Sequence, residues 1–350
     1  MAGVTAERKR YIDVLRCFGA IGVIFIHVSA NNWYGFIGSA DWTAFTVYEG
    51  FFKLAVPLFF MISGALFLNS EREGGIRRLF AHSVLRMVIF LLFWAAVYKL
   101  VQLPENGESL PKKLLDAAKQ ILKGETQTHL WFVYAIIGLY ILVPVLKPLV
   151  QKTQRQTLLY AVVLCFVLGS LVEALSHIDH TEIFVNNIWK VRAGYAAGYV
   201  GYFLLGAYLD RYGASKRSAV CLYILGCAGQ IATIAGTIWD CNSSGALNER
   251  VWSYTMPNVF FAAAAVFLFA KTHEPREGKA YTCIGFIARH ALGIYGVHFL
   301  FILLFWKLDF TTFSFCGALS VPVISAGVFA ASLAAAILLR RIPVLGRYIA

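Results

Sequence analysis

The sequence is short of charge, and of negative charge most of all. Asp, Glu, Lys and Arg make up 14% of its 350 residues, where soluble domains carry about 25%. With 59% hydrophobic residues and a mean hydropathy of +0.66, the shortage excludes an ordinary soluble domain and indicates a polytopic membrane protein. Also missing is any CxxC pair. The seven cysteines, Cys17, Cys165, Cys221, Cys227, Cys241, Cys283 and Cys316, are scattered and mostly lie in or beside apolar runs. That pattern argues against a metal ribbon and against a disulfide framework, with one Cys241–Cys316 bridge across outer loops left open. There is no low-complexity tract, no second soluble domain and no convincing internal repeat. The N-terminus lacks a cleavable-signal pattern, so its first apolar run is expected to remain as an anchor.

What is present is a series of apolar runs near residues 11–30, 47–68, 84–103, 130–149, 157–176, 193–209, 218–238, 253–270, 290–308 and 317–339. Each is long enough to span a bilayer as a helix. The expected architecture is all-α: one transmembrane domain over residues 1–350, a bundle of about ten helices. Most of the 31 basic residues fall in alternate connections, which predicts both termini in the cytoplasm. The net charge of +12 is then mainly topogenic and anchors the protein to anionic membrane lipid rather than to nucleic acid.

The first run, YIDVLRCFGAIGVIFIHVSA, carries only three ionisable residues, Asp13, Arg16 and His27. Eleven residues of helix put Arg16 and His27 on one face, about 16 Å apart along the axis. A charge at the centre of a membrane helix costs about 2.5–3.5 kcal/mol, so both are candidates for function. Arg16 could instead snorkel to the headgroups beside Asp13, and His27 could be a neutral imidazole bonded to a neighbouring helix. Asn31, one turn on, could orient that ring or cap the helix.

Further candidates follow along the chain. Glu49 and Lys53 stand four apart at the outer end of the second run, where an interfacial ion pair is the plain reading and acceptor binding the functional one. Pro57 breaks the ladder above FFMISGALF, and Ser63-Gly64 allows close helix approach or leaves a polar gap. Arg77, Arg78 and Arg86 cluster at the inner face, as topology requires and as a phosphorylated ligand would also require. Residues 110–122 form an amphipathic stretch expected to lie flat on the outer surface. His129 opens the fourth span beside Trp131. In GYAAGYVGY, Gly194, Gly198 and Gly201 suit close packing, while Tyr195, Tyr199 and Tyr202 could stack on a sugar or polyprenyl-linked acceptor. His177, Asp179 and His180 are too few for a metal site, and no metal is expected. In HALGIYGVHFLFI, a helix beginning at His290 would put His298 about 12 Å in. His82, His273 and His290 read as inner-surface residues without a role.

Taken in order, Arg16 with His27 eleven residues later, PLFFMISGALF, HLWFVYAIIGLYILVP, GYFLLGAYL and ALGIYGVHFLF resemble membrane-bound acyltransferase family 3 over about residues 8–341. The likeness is to its short, stand-alone bacterial members, the enterobacterial common antigen O-acetyltransferase type among them. The resemblance implies an O-acetyltransferase of the bacterial inner membrane, modifying a polysaccharide or polyprenyl-linked saccharide with acetyl from cytosolic acetyl-CoA. Acetyl-CoA would be a substrate, with no cofactor held permanently. It implies Arg16 and His27 as the essential pair, with His129 and His298 on recurrent motifs. Arg16, Arg77, Arg78, Arg86 and Arg289 would meet the phosphates of the donor. His27 would act as general base or as transient acyl carrier, and Glu49, Lys53, Tyr195 and Tyr199 would face the acceptor. Two departures stand out: Ala291 and Gly296 replace the Ser and Leu frequent in the helix 9 motif. The hydrolase-like domain of longer members has no counterpart, so the membrane domain is expected to complete the transfer. A transporter or flippase for a lipid-linked saccharide is the alternative that composition allows, and a homo-oligomer stays open.

Overall fold

The computed structural model describes residues 8–71, 75–104, 108–178 and 193–350, except for the side chains of 193–196. In chain order the helices are α1 (Arg10–Ala30), α2 (Ala40–Phe52), α3 (Ala55–Phe67), α4 (Gly75–Val101), α5 (Leu110–Leu122), α6 (Trp131–Lys152), α7 (Arg155–Ser176), α8 (Ala193–Tyr212), α9 (Lys216–Ser244), α10 (Pro257–Thr272), α11 (Lys279–Lys307), α12 (Gly317–Arg340) and the short α13 (Gly346–Ile349). Among the described residues no strand occurs, and nine spans are long and apolar enough to cross a membrane, α2 and α3 together forming one of them. α8, 20 residues long, occupies the place of the sixth expected span. The chain is an all-α, multi-pass bundle.

α1 is the central element, flanked by α2, α3, α10, α11 and α12. Backbones approach most closely between α3 and α8: a Cβ on Gly64 would overlap the Phe203 carbonyl oxygen, and one on Gly206 would overlap that of Met61. Of the two readings of Ser63-Gly64, both hold, since Gly64 makes the close approach and Ser63 lines an internal cavity. α5 leaves Leu110, Leu114, Leu115 and Leu122 exposed and is tied to α4 by Lys99 Nζ donating to Gln120 Oε1 at 2.6 Å.

Two sequence expectations are corrected, and one question left open is answered. The second span starts at Ala40, capped by Ser39 accepting from Trp42 N at 3.1 Å, and breaks between Phe52 and Ala55. Pro57 has no N–H for the Lys53 carbonyl four residues earlier, which sets the break there. Glu49 and Lys53 are therefore buried, 4% and 7% exposed, rather than interfacial. The ninth span starts at Lys279, so His298 stands about 28 Å from its beginning, and His290 is buried. Finally, all seven cysteines are free, Cys241 being buried at the end of α9 with its Sγ accepting from Asn248 N at 3.3 Å.

The face that carries both ends of the described chain is fixed by two buried carboxylates. Asp13 accepts from Arg8 Nε at 2.7 Å and Tyr281 Oη at 2.8 Å. Asp210 accepts from Lys9 Nζ at 2.6 and 2.7 Å, Tyr11 Oη at 2.5 Å and Asn69 Nδ2 at 2.6 Å. Together they join α1, α3, α8 and α11.

Candidate functional site

α1 delivers the two residues that its spacing singled out. Near its start, Arg16 lines a cavity of about 790 Å³ enclosed by α1, α3, α4, α6, α11 and the segment after α12. Asp13, three residues back, is engaged by Arg8 and Tyr281 instead. Among the described residues Arg16 therefore makes no ion pair and no hydrogen bond, and its guanidinium is available to a ligand in the cavity. A desolvated cation without a partner in a space this large is the arrangement expected of an anion site.

Four more arginines line the same space: Arg86, Arg289, Arg340 and Arg347. Arg86 Nη2 donates to the Ala350 carbonyl at 3.4 Å, while its Nε is buried without a partner. His82 also lines the cavity, although its sequence position gave it no role. It sits near the start of α4, in wider i→i+5 turns at Leu79–Val84, a feature that recurs at functional sites. Arg77 and Arg78 are exposed and stand outside the lining. Positive-inside reasoning treats all of these arginines alike; only the packing separates them.

The cavity's apolar end is formed by Phe59, Phe132, Ile136 and Tyr295. Immediately behind those rings lie three histidines from three helices. The ring centroid of His27 (α1) is 5.3 Å from that of His298 (α11) and 5.9 Å from that of His129, which lies in the turn opening α6; His129 and His298 are 5.1 Å apart. His129 and His298 are buried, 1% and 0% exposed, whereas His27 keeps some open space. Tyr98 and Phe299 close the cluster, their centroids 4.9 and 5.3 Å from His129.

The hydrogen bonds fix part of the chemistry. His298 Nδ1 lies 2.7 Å from the Tyr295 carbonyl oxygen, which can only accept, so Nδ1 carries the proton and Nε2 presents a lone pair. That Nε2 is buried without a partner, as are both ring nitrogens of His129. Buried polar atoms left open are rare and call for a ligand or a proton-handling role. Tyr295 Oη donates to the His129 carbonyl, tying α11 to the start of α6. Among the described residues no three His, Cys, Asp or Glu side chains are arranged to hold a metal ion.

On the side of the cluster away from the arginines, Lys53 Nζ donates to Glu49 Oε1 at 3.0 Å and lies 4.5 and 4.9 Å from the ring centres of Trp252 and Tyr254. Lys53 is within electrostatic range of His27. Glu49 Oε2 and Trp252 Nε1 are buried without partners, an acceptor and a donor left open beside one another's neighbour. Tyr199 stacks with Phe60 and Trp131 at 4.7 and 5.6 Å, and Trp131 with Tyr254 at 5.4 Å. Gly198 and Gly201 make close helix contacts. The side chains of Gly194 and Tyr195 lie outside the described residues, as do Asp179 and His180. Sequence reasoning missed Trp252 and Tyr254, which belong to the turn before α10 and carry no motif.

A model of the acyltransferase 3 family, described as an acyltransferase domain, matches residues 9–341. No curated protein and no solved structure matches, so the narrower likeness to the enterobacterial common antigen enzymes gains no support from either.

Proposed function

The chain belongs to the acyltransferase 3 family and is a multi-pass membrane acyltransferase; we propose that it moves an acetyl group from cytosolic acetyl-CoA to a hydroxyl of an extracytoplasmic or lipid-linked glycan, in a bacterial inner membrane with both termini in the cytoplasm. The observation that carries the proposal is the two ends of α1. Arg16, with no ion pair or hydrogen bond among the described residues, lies in an arginine-lined cavity, and His27 stands in a histidine cluster just behind that cavity's apolar end. An acyl-CoA has this shape in chemical terms: anionic phosphates at one end, and a long neutral arm bearing the thioester at the other. The roughly 16 Å of helix between the two residues suits such an arm.

In the direct route the acceptor oxygen attacks the thioester carbonyl carbon while the His27 imidazole takes the hydroxyl proton. The C–S bond then breaks, and the CoA thiolate leaves with that proton. In the relay route the imidazole attacks first, CoA thiol leaves, and the acyl-imidazole is discharged onto the acceptor hydroxyl. His298 and His129 line the same point and offer further proton acceptors, while Tyr98, Phe132 and Phe299 keep water from the thioester. Glu49, Lys53 and Tyr199 face the acceptor. Acetyl-CoA is a substrate here, and no step calls for a resident cofactor.

The test is acetyl transfer from labelled acetyl-CoA to membrane glycan by reconstituted wild type, Arg16→Ala and His27→Ala, with folding and CoA binding measured in parallel. Both variants should lose transfer, and only Arg16→Ala should bind CoA more weakly. Full activity in a folded His27→Ala protein would refute the assignment, and energy-dependent saccharide movement without acetylation would favour a transporter. Label retained on the protein when acceptor is withheld would select the relay over the direct route.

A further inference from the structure

After α12 ends at Arg340 the chain turns back beneath the bundle. Val344 holds φ at 62°, a left-handed conformation that a β-branched residue keeps only when its surroundings impose it. What imposes it is the seat of the residues that follow. Gly346 packs on the carbonyls of Leu339 and Arg340, too closely for a side chain. Ile349 is fully buried, and its carbonyl accepts from Trp94 Nε1 at 3.2 Å. Ala350 is 5% exposed and lies over Gly293, where an added Cβ would come 3.1 Å from the Ala350 Cα.

The same segment walls the arginine-lined cavity through Arg347, Tyr348 and Ala350, beside Arg340. Arg340 Nη1 donates to the Arg289 carbonyl at 3.0 Å, and the Arg347 guanidinium lies 5.0 Å from the Tyr348 ring centre. Neither arginine has an acidic partner among the described residues, and both are exposed at the cavity mouth. Arg16, by contrast, lies nearly two turns into α1, and Arg86 is half-buried. The five cations thus form two tiers, an inner one of Arg16 and Arg86 and an outer, exposed one of Arg289, Arg340 and Arg347.

We propose that residues 340–350 are a donor-binding element: Arg340 and Arg347 hold the outermost phosphate of the donor, and the seat on Trp94 and Gly293 positions them. The proposal rests on the reading of the cavity as the acyl-CoA site. The end of α12 and the element folded onto the mouth after it add cations for the nucleotide end of the donor, beyond those that α1 and α4 supply from within. A phospholipid headgroup presents the same phosphate chemistry, so the experiment must separate the two.

Full-length protein in phosphatidylcholine nanodiscs is titrated calorimetrically with CoA and with dephospho-CoA, which lacks the 3′-phosphate. In Arg340→Ala/Arg347→Ala, CoA affinity should fall roughly 10- to 100-fold, as expected for loss of charge-assisted phosphate contacts, while dephospho-CoA affinity changes less. Lys216→Ala/Arg217→Ala, exposed and outside the lining, should bind CoA as wild type does. Unchanged CoA binding in the Arg340/Arg347 variant alongside weakened binding in Arg16→Ala and Arg86→Ala would overturn the proposal and leave the donor site intact. Unchanged binding in all of them would overturn the donor site itself. The titrations are repeated with phosphatidylglycerol in the discs. Displacement of CoA from wild type by that lipid, lost in the Arg340/Arg347 variant, would assign the tail arginines to a headgroup and overturn the proposal; CoA affinity differing less than threefold supports it.

Discussion

The buried Glu49–Lys53 pair offers the sharpest test of the bundle's interior. Lys53→Met removes the 3.0 Å ion pair and both ring contacts, and leaves a carboxylate 4% exposed with no cation. Stranding one member of a buried pair costs about 3–5 kcal/mol. Glu49→Leu strands the ammonium instead, but Lys53 still lies over Trp252 and Tyr254. Each ring contact is worth about 0.5–2 kcal/mol, so with two of them kept this variant should lose about 1–4 kcal/mol less than Lys53→Met. The double variant removes both charges and should fall within about 1 kcal/mol of wild type. Chemical unfolding in mixed micelles, followed by tryptophan fluorescence, measures all three, and the difference between the double and the summed singles is the coupling. Additive losses would refute the picture of two mutually compensating charges in a dry interior. If the pair faces the acceptor, the stable double variant should also show a raised acceptor KM with CoA affinity unchanged.

Two further substitutions follow from the packing. A Cβ on Gly296 would strike the Trp94 indole, so Gly296→Ala should destabilise by about 1–3 kcal/mol. Trp94→Ala alone should cost about 3–5 kcal/mol through the cavity it leaves, and Gly296→Leu on that background should recover part of the loss; no recovery in unfolding experiments would mean that the two sites do not share the space. Asp210→Ala should destabilise by about 3–5 kcal/mol, since it leaves three donors without their common acceptor. Unfolding within 0.5 kcal/mol of wild type, roughly the scatter of surface substitutions, would contradict that account.

Hydropathy is a local property, and the spans were accordingly legible, as was the shared face of Arg16 and His27. What the sequence could not reveal is who pairs with whom. Asp13 stands three residues from Arg16 and invites a local pair, yet its partners are Arg8 and Tyr281, the latter 268 residues away. That remote contact leaves Arg16 unpaired among the described residues, and so turns a residue with a plain explanation into a candidate binding group. The histidines follow the same logic. His27, His129 and His298 are separate candidates along the sequence, and only the meeting of α1, α11 and the turn opening α6 makes them one site.

The second span shows how a local signal can be read correctly and its consequence missed. Pro57 is visible in the sequence, and so is the four-residue spacing of Glu49 and Lys53. Their depth is not, because the polar start ADWTAFT hides seven residues of helix that precede the apolar run. Once α2 begins at Ala40, the pair lies well inside the bundle, and the proline break falls at Lys53 itself. A helix interrupted next to a buried charge frees backbone groups where a ligand needs them. The expected consequence is specific: Pro57→Ala should restore the hydrogen bond to the Lys53 carbonyl, straighten α2 into α3 and stabilise the isolated span. It should nevertheless lower acetyl transfer, because Lys53 would turn away from Trp252 and Tyr254. Transfer activity equal to wild type in a more stable Pro57→Ala protein would show that the break serves packing alone.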